Sequence, residues 1–162
     1  MLCPNSKQKT KLFQYAGAAR FAYNWALGRE QENDKNGGKF ISEKELRKEF
    51  TQLKKTEEYA WLNNISNNVT KQAIKDAVEA YKKFFEGYAK FPQFKSKKHS
   101  VPKFYQDNVK IKFTDTHVKL VSSRSPSAHL TVRRRHESLR FAQRRLLVEG
   151  FTYAVSAKLS YY

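Results

Sequence analysis

The sequence predicts a mainly α-helical protein with a small β part, of the α+β class. Three long stretches repeat apolar residues at helical spacing, whereas strand-like alternation is clearest within residues 109–120. The chain has 162 residues, of which 40% are hydrophobic, and this is enough for one ordinary domain with a buried core. We therefore expect a helical lobe of about three helices in residues 1–91, followed by a β-hairpin.

The first helix is predicted over residues 4–35. Pro4-Asn5-Ser6 is typical of a helix start, and Asn36-Gly37-Gly38 is typical of a stop. Phe21 and Trp25 lie opposite the main apolar face, so we expect both sides of this helix to be covered. The main face is formed by Leu12, Tyr15, Ala16, Ala19, Ala22, Tyr23, Ala26 and Leu27.

The second helix is predicted to begin at Ser42. The Ser42 side chain can cap this helix, and Glu45, three residues later, completes a capping box. The helix carries Leu46, Phe50 and Leu53 on its apolar side. Residues 59–62 then form a short apolar connector.

The third helix, residues 66–91, has the clearest amphipathic pattern. One half of its helical wheel is apolar and the other half is occupied by lysines and carboxylates. We expect the apolar half to be buried in the core. Its members are Ala73, Ile74, Ala77, Val78, Tyr81, Phe84, Phe85 and Tyr88.

A basic and aromatic linker is predicted over residues 92–108, where Pro92 and Pro102 interrupt helical structure. The stretch KFPQFKSKKHSVPKFYQ, residues 90–106, holds five lysines and four aromatic rings but no carboxylate. Two alternating segments follow, VKIKF and HVKL, on either side of Thr114-Asp115-Thr116. They predict a β-hairpin over residues 109–120.

The tail, residues 121–162, differs in composition from the rest. Of the 22 lysines, 21 lie in the first 119 residues, whereas 7 of the 10 arginines follow them. One interpretation is an arginine-rich arm that binds nucleic acid. The other, which we favour, is that this stretch is translated out of frame or derives from joined DNA, because the switch from lysine to arginine resembles a change of codon usage.

The net charge of +17, with a pI near 10.0, indicates a polyanionic partner. No apolar run approaches the ~18 residues of a membrane-spanning helix, and the N-terminus lacks the apolar run of a signal peptide. Cys3 is the only cysteine, so we expect neither a disulfide framework nor a cysteine-rich zinc site. These features favour nucleic acid over membrane and a cytoplasmic location.

The sequence offers no catalytic set. The histidines are scattered without metal-ligand spacing, and most carboxylates alternate with lysines on helix faces, as in Lys75/Glu79 and Lys82/Glu86. Such pairs are typical of surface contacts between side chains four residues apart. We expect a chain that is not an enzyme as it stands, with no cofactor, no metal and no small-molecule substrate. Its oligomeric state carries no sequence signal.

The linker supplies the strongest candidates for nucleic-acid contact. Lysines there can displace counterions from phosphates, and exposed rings can stack on unpaired bases. The alternative is a solvated connector whose phenylalanines dock onto the core, which would account for Phe91, Phe94, Phe104 and Tyr105. The lysines are therefore preferred to the rings. The candidate contacts in and beside the linker are Lys90, Phe94, Lys95, Lys97, Lys98 and Lys103.

Four further candidates lie on the helices. Lys71, Lys75 and Lys82 share a helix face within about 40° and could extend the contact, although interleaved glutamates make a plain solvated face an equal alternative. Arg20 lies near the edge of the apolar arc of the first helix, beside Asn24. We favour a structural role for Arg20 in helix packing over a phosphate contact.

The chain also resembles a known family. The segments RFAYNWAL, LRKEFTQLKKTEEYAWL, NNVTKQAIKDAVEAYKKFF and PQFKSKK, in this order, look like the N-terminal region of the OrfB/TnpB family, which insertion sequences of bacteria and archaea encode. LCPNSKQ resembles the opening YPN-x-x-Q segment of the family, with Cys3 in place of tyrosine. The resemblance extends from about Leu2 to Leu120.

The resemblance implies a helix-turn-helix-like recognition lobe inserted in a small β-barrel wedge, so partial barrel strands should follow residue 108. Full-length members are labelled transposases, resemble type V CRISPR effectors and act as RNA-guided DNA endonucleases. Their catalytic carboxylates and zinc ribbon lie in a C-terminal half that does not match this chain. The resemblance thus implies binding of DNA, a guide RNA or both.

From these expectations we predict a nucleic-acid-binding N-terminal fragment of such a transposase, associated with DNA transposition. Two alternatives are open. The chain can be a remnant that does not fold stably, or a subunit of an RNA-guided endonuclease that another chain completes. The arginine-rich tail departs from the family pattern and leaves the extent of the barrel undecided.

Overall fold

A computed structural model describes residues 2–3, 5–105, 111–113, 117–120, 130–134 and 154–155, with side chains for residues 5–105. This part of the chain is mainly helical, as predicted. Its helices are α1 (Ser6–Lys35), α2 (Glu43–Leu53) and α3 (Asn67–Phe85), with a 3₁₀ helix over Glu57–Asn64 between α2 and α3. None of the helices in the described ranges is both long and apolar enough to cross a membrane.

The ends of α1 agree with the predicted start and stop. Asn5 and Gln8 form a capping box, in which the Asn5 side chain accepts from the Gln8 N–H and the Gln8 side chain from the Asn5 N–H. At the other end Gly37 adopts a φ of 70°. Its N–H donates to the Asp34 carbonyl at 3.0 Å, which closes the helix by a glycine turn.

The second helix confirms the predicted capping box. The Ser42 hydroxyl accepts from the Glu45 N–H, and the Glu45 carboxylate accepts from the Ser42 N–H at 2.9 Å. Leu46 and Phe50 are buried as expected. The predicted connector, residues 59–62, belongs to the 3₁₀ helix, and Leu62 is buried in the core.

The third helix is shorter than predicted and ends at Phe85, six residues before the expected boundary. Gly87 has a φ of 76°, its N–H donates to the Phe84 carbonyl, and the Tyr88 N–H donates to the Lys83 carbonyl. This glycine-based stop removes the last predicted turn. Phe85 and Tyr88 are 58% and 82% exposed, so their predicted place in the core is wrong.

The core forms where α1 packs against α3, with α2 and the 3₁₀ helix closing it. The predicted apolar face of α1 is buried throughout, and Ala73 to Tyr81 supply the matching face of α3. The opposite side of α1 is also covered, because Phe21 stacks on Tyr59 at 5.5 Å and Trp25 meets Phe50 edge-on at 5.1 Å. The prediction that both sides of α1 are covered is confirmed.

The β part consists of short antiparallel pairs. The strands are β1 (Leu2–Cys3), β2 (Phe104–Tyr105), β3 (Ile111–Phe113), β4 (His117–Leu120), β5 (Leu130–Arg134) and β6 (Ala154–Val155). They pair in the order β1-β5-β4-β3, with β2 against β6, and Ile111 lies opposite Leu120. A wedge barrel stays a prediction. Most of the arginine-rich tail lies outside the described residues, so neither interpretation of it is tested.

Glu30 is a buried charge that we expect to destabilise the fold at neutral pH. It is 2% exposed, Oε2 accepts from the Ile41 N–H at 3.4 Å, and Oε1 has no hydrogen-bond partner among the described residues. Burial raises the pKa of Glu30, and Asp34 and Glu49 raise it further. The folded state therefore binds the proton more tightly than the unfolded state, so the penalty appears as pH rises from 4.5 through the raised pKa.

We predict that Glu30→Gln raises the free energy of unfolding at pH 7 by about 1 kcal/mol, and by less at acidic pH. Urea denaturation at both pH values measures this effect. Glu57→Gln, on an exposed side chain, serves as the control and should change neither value. A destabilised Glu30→Gln variant at pH 7 would contradict the account.

Candidate nucleic-acid interface

The basic linker is fastened to α1 by one side chain. Asn24 Nδ2 donates to the Lys95 carbonyl at 2.9 Å, and the Lys95 N–H donates to Asn24 Oδ1 at 2.8 Å. The two bonds satisfy both backbone polar groups of a residue that belongs to neither helix nor strand. They fix the path of the chain between Pro92 and Phe104 across the outside of the helices.

The side chain of Lys95 turns inward from this anchor. Its Nζ lies 3.3 Å from the centre of the Tyr23 ring, in a cation–π contact. Burial lowers the pKa of Lys95, and nearby Lys103 lowers it further, whereas Asp76 acts in the opposite direction. The charge of Lys95 is thus held at a fixed position, partly shielded from water.

A cleft of about 470 Å³ opens beside this lysine, and we call it the α1–α3 cleft. Arg20 on α1, Lys95 and Lys103 bring three cations to its wall, and Asp76 on α3 is its carboxylate. Gln72 Nε2 donates to Asp76 Oδ1 at 2.8 Å, which orients that carboxylate. The cleft therefore carries a net positive charge and is suited to an anion.

The aromatic rings of the linker divide into docked and exposed ones. Phe104 is buried, with its ring 5.4 Å from that of Tyr15, and Phe91 packs edge-on against Phe84 at 5.0 Å. Phe94 is 55% exposed, although its edge approaches Gly28 of α1. Docking onto the core thus accounts for Phe104 and in part for Phe91, while Phe94 keeps a face in solvent.

The remaining linker lysines are exposed. Lys97 and Lys98 lie in the turn that follows the Asn24 anchor, and Lys103 lies further along the same segment. Lys90 lies between the end of α3 and Pro92. The structure therefore brings Arg20, Lys95 and Lys103 to one cleft, with Lys97 and Lys98 on the segment that borders it.

The predicted lysines of α3 lie elsewhere. Lys71, Lys75 and Lys82 lie on the side of α3 roughly 130° from the residues that line the α1–α3 cleft. Lys75 Nζ lies 3.6 Å from Glu79 Oε1, so the predicted contact between residues four apart is present. Lys82 lies over the ring of Phe40 at 5.6 Å, near the C-terminal ends of α1 and α3.

Sequence reasoning missed the anchor and a second basic cleft. Asn24 was noted only as a neighbour of Arg20, although its place one turn after Arg20 puts it on the same side of α1. The second cleft, about 570 Å³, lies between α2, the 3₁₀ helix and α3, and we call it the α2–α3 cleft. Part of its lining has a local signal, because Arg47 and Thr51 lie one turn apart on α2, and Lys54 and Lys55 follow at the C-terminal end of that helix.

Within the described part of the chain, no group of three or more His, Cys, Asp or Glu side chains has a geometry that could hold a metal ion. Ion pairs at the surface of this part include those of Arg29, Arg47 and Lys75. The cations and amides that line these two clefts can bind anions.

Comparison with known proteins identifies a family at the N-terminus. Residues 1–39 match the helix-turn-helix domain family of the OrfB/IS605 type. Of the described residues in this range, Ser6–Lys35 form one continuous helix, and the next helix begins at Glu43. The turn between two helices thus falls at and beyond the end of the matched range.

Two curated relatives match a longer stretch. The chain is similar to "Putative RNA-guided DNA endonuclease InsQ" of Escherichia coli (strain K12), with 34% identity over 110 residues, 68% of this chain. It is also similar to "Putative RNA-guided DNA endonuclease" of Streptomyces pristinaespiralis, with 31% identity over 97 residues, 60% of this chain. The chain spans about a quarter of the length of these relatives, 27% and 24%.

Asn24→Ala tests the anchor. Loss of two partly buried hydrogen bonds should lower the free energy of unfolding by about 1–3 kcal/mol and speed amide exchange at Lys95. Asn33→Ala is the matched control, because Asn33 makes one exposed bond to the Lys39 carbonyl. If the two substitutions lower the free energy of unfolding equally and amide exchange at Lys95 is unchanged, Asn24 does not anchor the linker.

Proposed function

Because the N-terminus of this chain is an OrfB/TnpB-family helix-turn-helix domain, we propose that the chain binds the phosphate backbone of DNA or a guide-like RNA. The observation that carries the proposal is the Asn24 anchor, which holds the linker so that Lys95 and Lys103 line the same cleft as Arg20 of α1. A nucleic acid presents a regular row of negative charges, and fixed cations bind it by releasing condensed counterions.

The charge of the described part supports this proposal. Residues 5–105 contain 21 lysines and arginines against 11 acids, so a positive surplus lies on the helical body itself. In the α1–α3 cleft, three cations face one carboxylate. Lys97 and Lys98 extend the positive surface along the anchored segment, whereas Lys90, next to Phe91 at the C-terminal end of α3, lies apart from it.

Phe94 adds a second kind of contact. Its ring is more than half exposed next to the lysines, and a base that is unpaired can stack on such a face for about 1–3 kcal/mol. We therefore favour single-stranded segments for this part of the interface. Binding without base-specific contacts has dissociation constants of roughly 10⁻⁴–10⁻⁶ M at physiological salt.

The proposed role is the nucleic-acid-binding part of an OrfB/TnpB-type transposase in DNA transposition. The relatives are described as RNA-guided DNA endonucleases, and guide RNA is accordingly one candidate ligand. We assign binding, and no cleavage, to the residues of this chain. The proposal keeps the predicted division into a helical lobe (1–91), a linker (92–108), the hairpin of a partial wedge barrel (109–120) and a divergent tail (121–162).

Replacing three exposed lysines tests the interface. Lys97→Gln, Lys98→Gln and Lys103→Gln together should weaken binding of a single-stranded oligonucleotide and reduce the slope of log K against log salt by about 0.7 per lost phosphate contact. Fluorescence anisotropy over a salt series measures both quantities. The matched control is Lys35→Gln, Lys39→Gln and Lys83→Gln, which removes equal charge near the opposite ends of α1 and α3. Identical slopes for the two triple variants would contradict the proposal.

We predict that the affinity for nucleic acid depends on pH through Lys95. Its charged form binds phosphate, and its pKa is lowered from 10.5 by burial, so affinity should fall as pH rises through that lowered pKa. Lys95→Arg keeps the charge and the stacking on Tyr23, because arginine stays protonated and stacks on aromatic faces. Anisotropy measured from neutral to alkaline pH should show a steeper loss for the wild type than for Lys95→Arg. Parallel curves would overturn the role of Lys95.

A further inference from the structure

We propose that the α2–α3 cleft is a second phosphate-binding site, which the nucleic acid held at the α1–α3 cleft also contacts. This inference rests on the proposed function. The cleft has a volume of about 570 Å³ and brings four cationic side chains to its wall: Arg47, Lys54, Lys55 and Lys71. No carboxylate in residues 5–105 lines it, although Glu43 lies 3.2 Å from Arg47 just outside.

Lys54 is the built element of this site. It lies at the C-terminal cap of α2 and is 9% exposed. Its Nζ donates to Asn67 Oδ1 at 3.0 Å and lies over the ring of Phe50 at 5.3 Å. These contacts, with the Thr70 hydroxyl 3.5 Å from the same Nζ, hold the ammonium group at the wall of the cleft, where a phosphate can accept a charge-assisted hydrogen bond from it.

The first turn of α3 adds the polarity that an anion requires. Its N-cap residue, Ser66, makes no side-chain capping bond, and the first turn contains no acidic residue. The positive end of the helix therefore lies at the cleft without a carboxylate from its own first turn, and Asn67 and Thr70 line the wall there. The side-chain amide of Asn67 can donate to a phosphate oxygen through Nδ2, whereas the Thr70 hydroxyl already donates to the Asn67 carbonyl at 3.2 Å.

Basic character continues from this cleft along α2. A neighbouring depression of about 520 Å³ shares Arg47 and Thr51 with it and is lined in addition by Lys44, Lys48 and Gln52. The spacing of these residues places them on one side of α2. The result is an extended basic surface, which fits a chain of phosphates better than a single anion.

Helix α3 is the wall between the two clefts. Val69, Gln72 and Asp76 face the α1–α3 cleft, whereas Asn67, Lys71 and Ile74 face the α2–α3 cleft, roughly 160° around the helix. Both sets lie in the N-terminal half of α3, so the sites are separated by about one helix diameter, ~10–12 Å. A strand that contacts both must therefore pass the N-terminal half of α3.

Lys55→Gln with Lys71→Gln tests the inference, because both side chains are exposed and Lys54 stays in place. With a single strand of about 20 nucleotides, the slope of log K against log salt should fall by about 1.4, that is about 0.7 for each lost contact. The matched control is Lys35→Gln with Lys39→Gln, which should leave the slope unchanged. The triple variant at Lys97, Lys98 and Lys103 is measured in parallel.

The outcomes separate the two proposals. A reduced salt slope for the Lys97/Lys98/Lys103 variant and for the Lys55/Lys71 variant supports binding at both clefts. An unchanged slope for the Lys55/Lys71 variant alone overturns the second site and leaves the proposed function intact. Inorganic phosphate is the second probe. Phosphate can raise the melting temperature of the wild type but not that of the Lys55/Lys71 variant, while the two proteins have equal salt slopes for the oligonucleotide. The α2–α3 cleft then binds free phosphate, and the proposed contact with the strand is overturned.

Discussion

The proposed interface depends on the two hydrogen bonds between the Asn24 amide and the backbone of Lys95. A stretch rich in lysine and interrupted by prolines would gain little from packing by itself, and ordering it costs conformational entropy. One amide on α1 satisfies the carbonyl and the N–H of Lys95, and the Tyr23 ring holds the ammonium group of the same residue. Cations that repel one another are thereby kept at a fixed place beside the helices.

The rest of the fold provides the surface on which this anchor acts. Helix α1 is covered on both sides, because its small residues face α3 while Phe21 and Trp25 face the aromatic residues of α2 and the 3₁₀ helix. Helix α3 packs its apolar side against α1 and leaves its polar side exposed to solvent. A rigid body of this kind displays surplus lysines without a matching number of acids, as nucleic-acid binding requires.

Local signals in the sequence predicted the helices well. The Ser42–Glu45 capping box and the Asn36-Gly37-Gly38 stop act over a few residues, so the local order of residues is enough to reveal them. The end of α3 was missed because the apolar pattern runs through Gly87, whose positive φ overrides it. The predicted core position of Tyr88 was lost for the same reason, whereas Phe85 still belongs to α3 but lies beyond Tyr81, the last buried residue of that helix.

The candidate site was predicted as residue types but not as an arrangement. Lysine content marks the linker, yet the contact between Asn24 and Lys95 joins residues 71 positions apart. No local pattern encodes such a pairing. The α2–α3 cleft was missed for a related reason, since Lys54 and Lys71 come together only when α2 packs against α3.

Amide hydrogen exchange of the full chain, with and without a bound oligonucleotide, tests the central claim most directly, because it locates the contact without any substitution. The account predicts added protection in residues 95–105 and in the N-terminal half of α3. It predicts unchanged exchange around Asp34, Phe40 and Lys82, where α1 and α3 end. Protection confined to that opposite end, with residues 95–105 unaffected, would contradict the account.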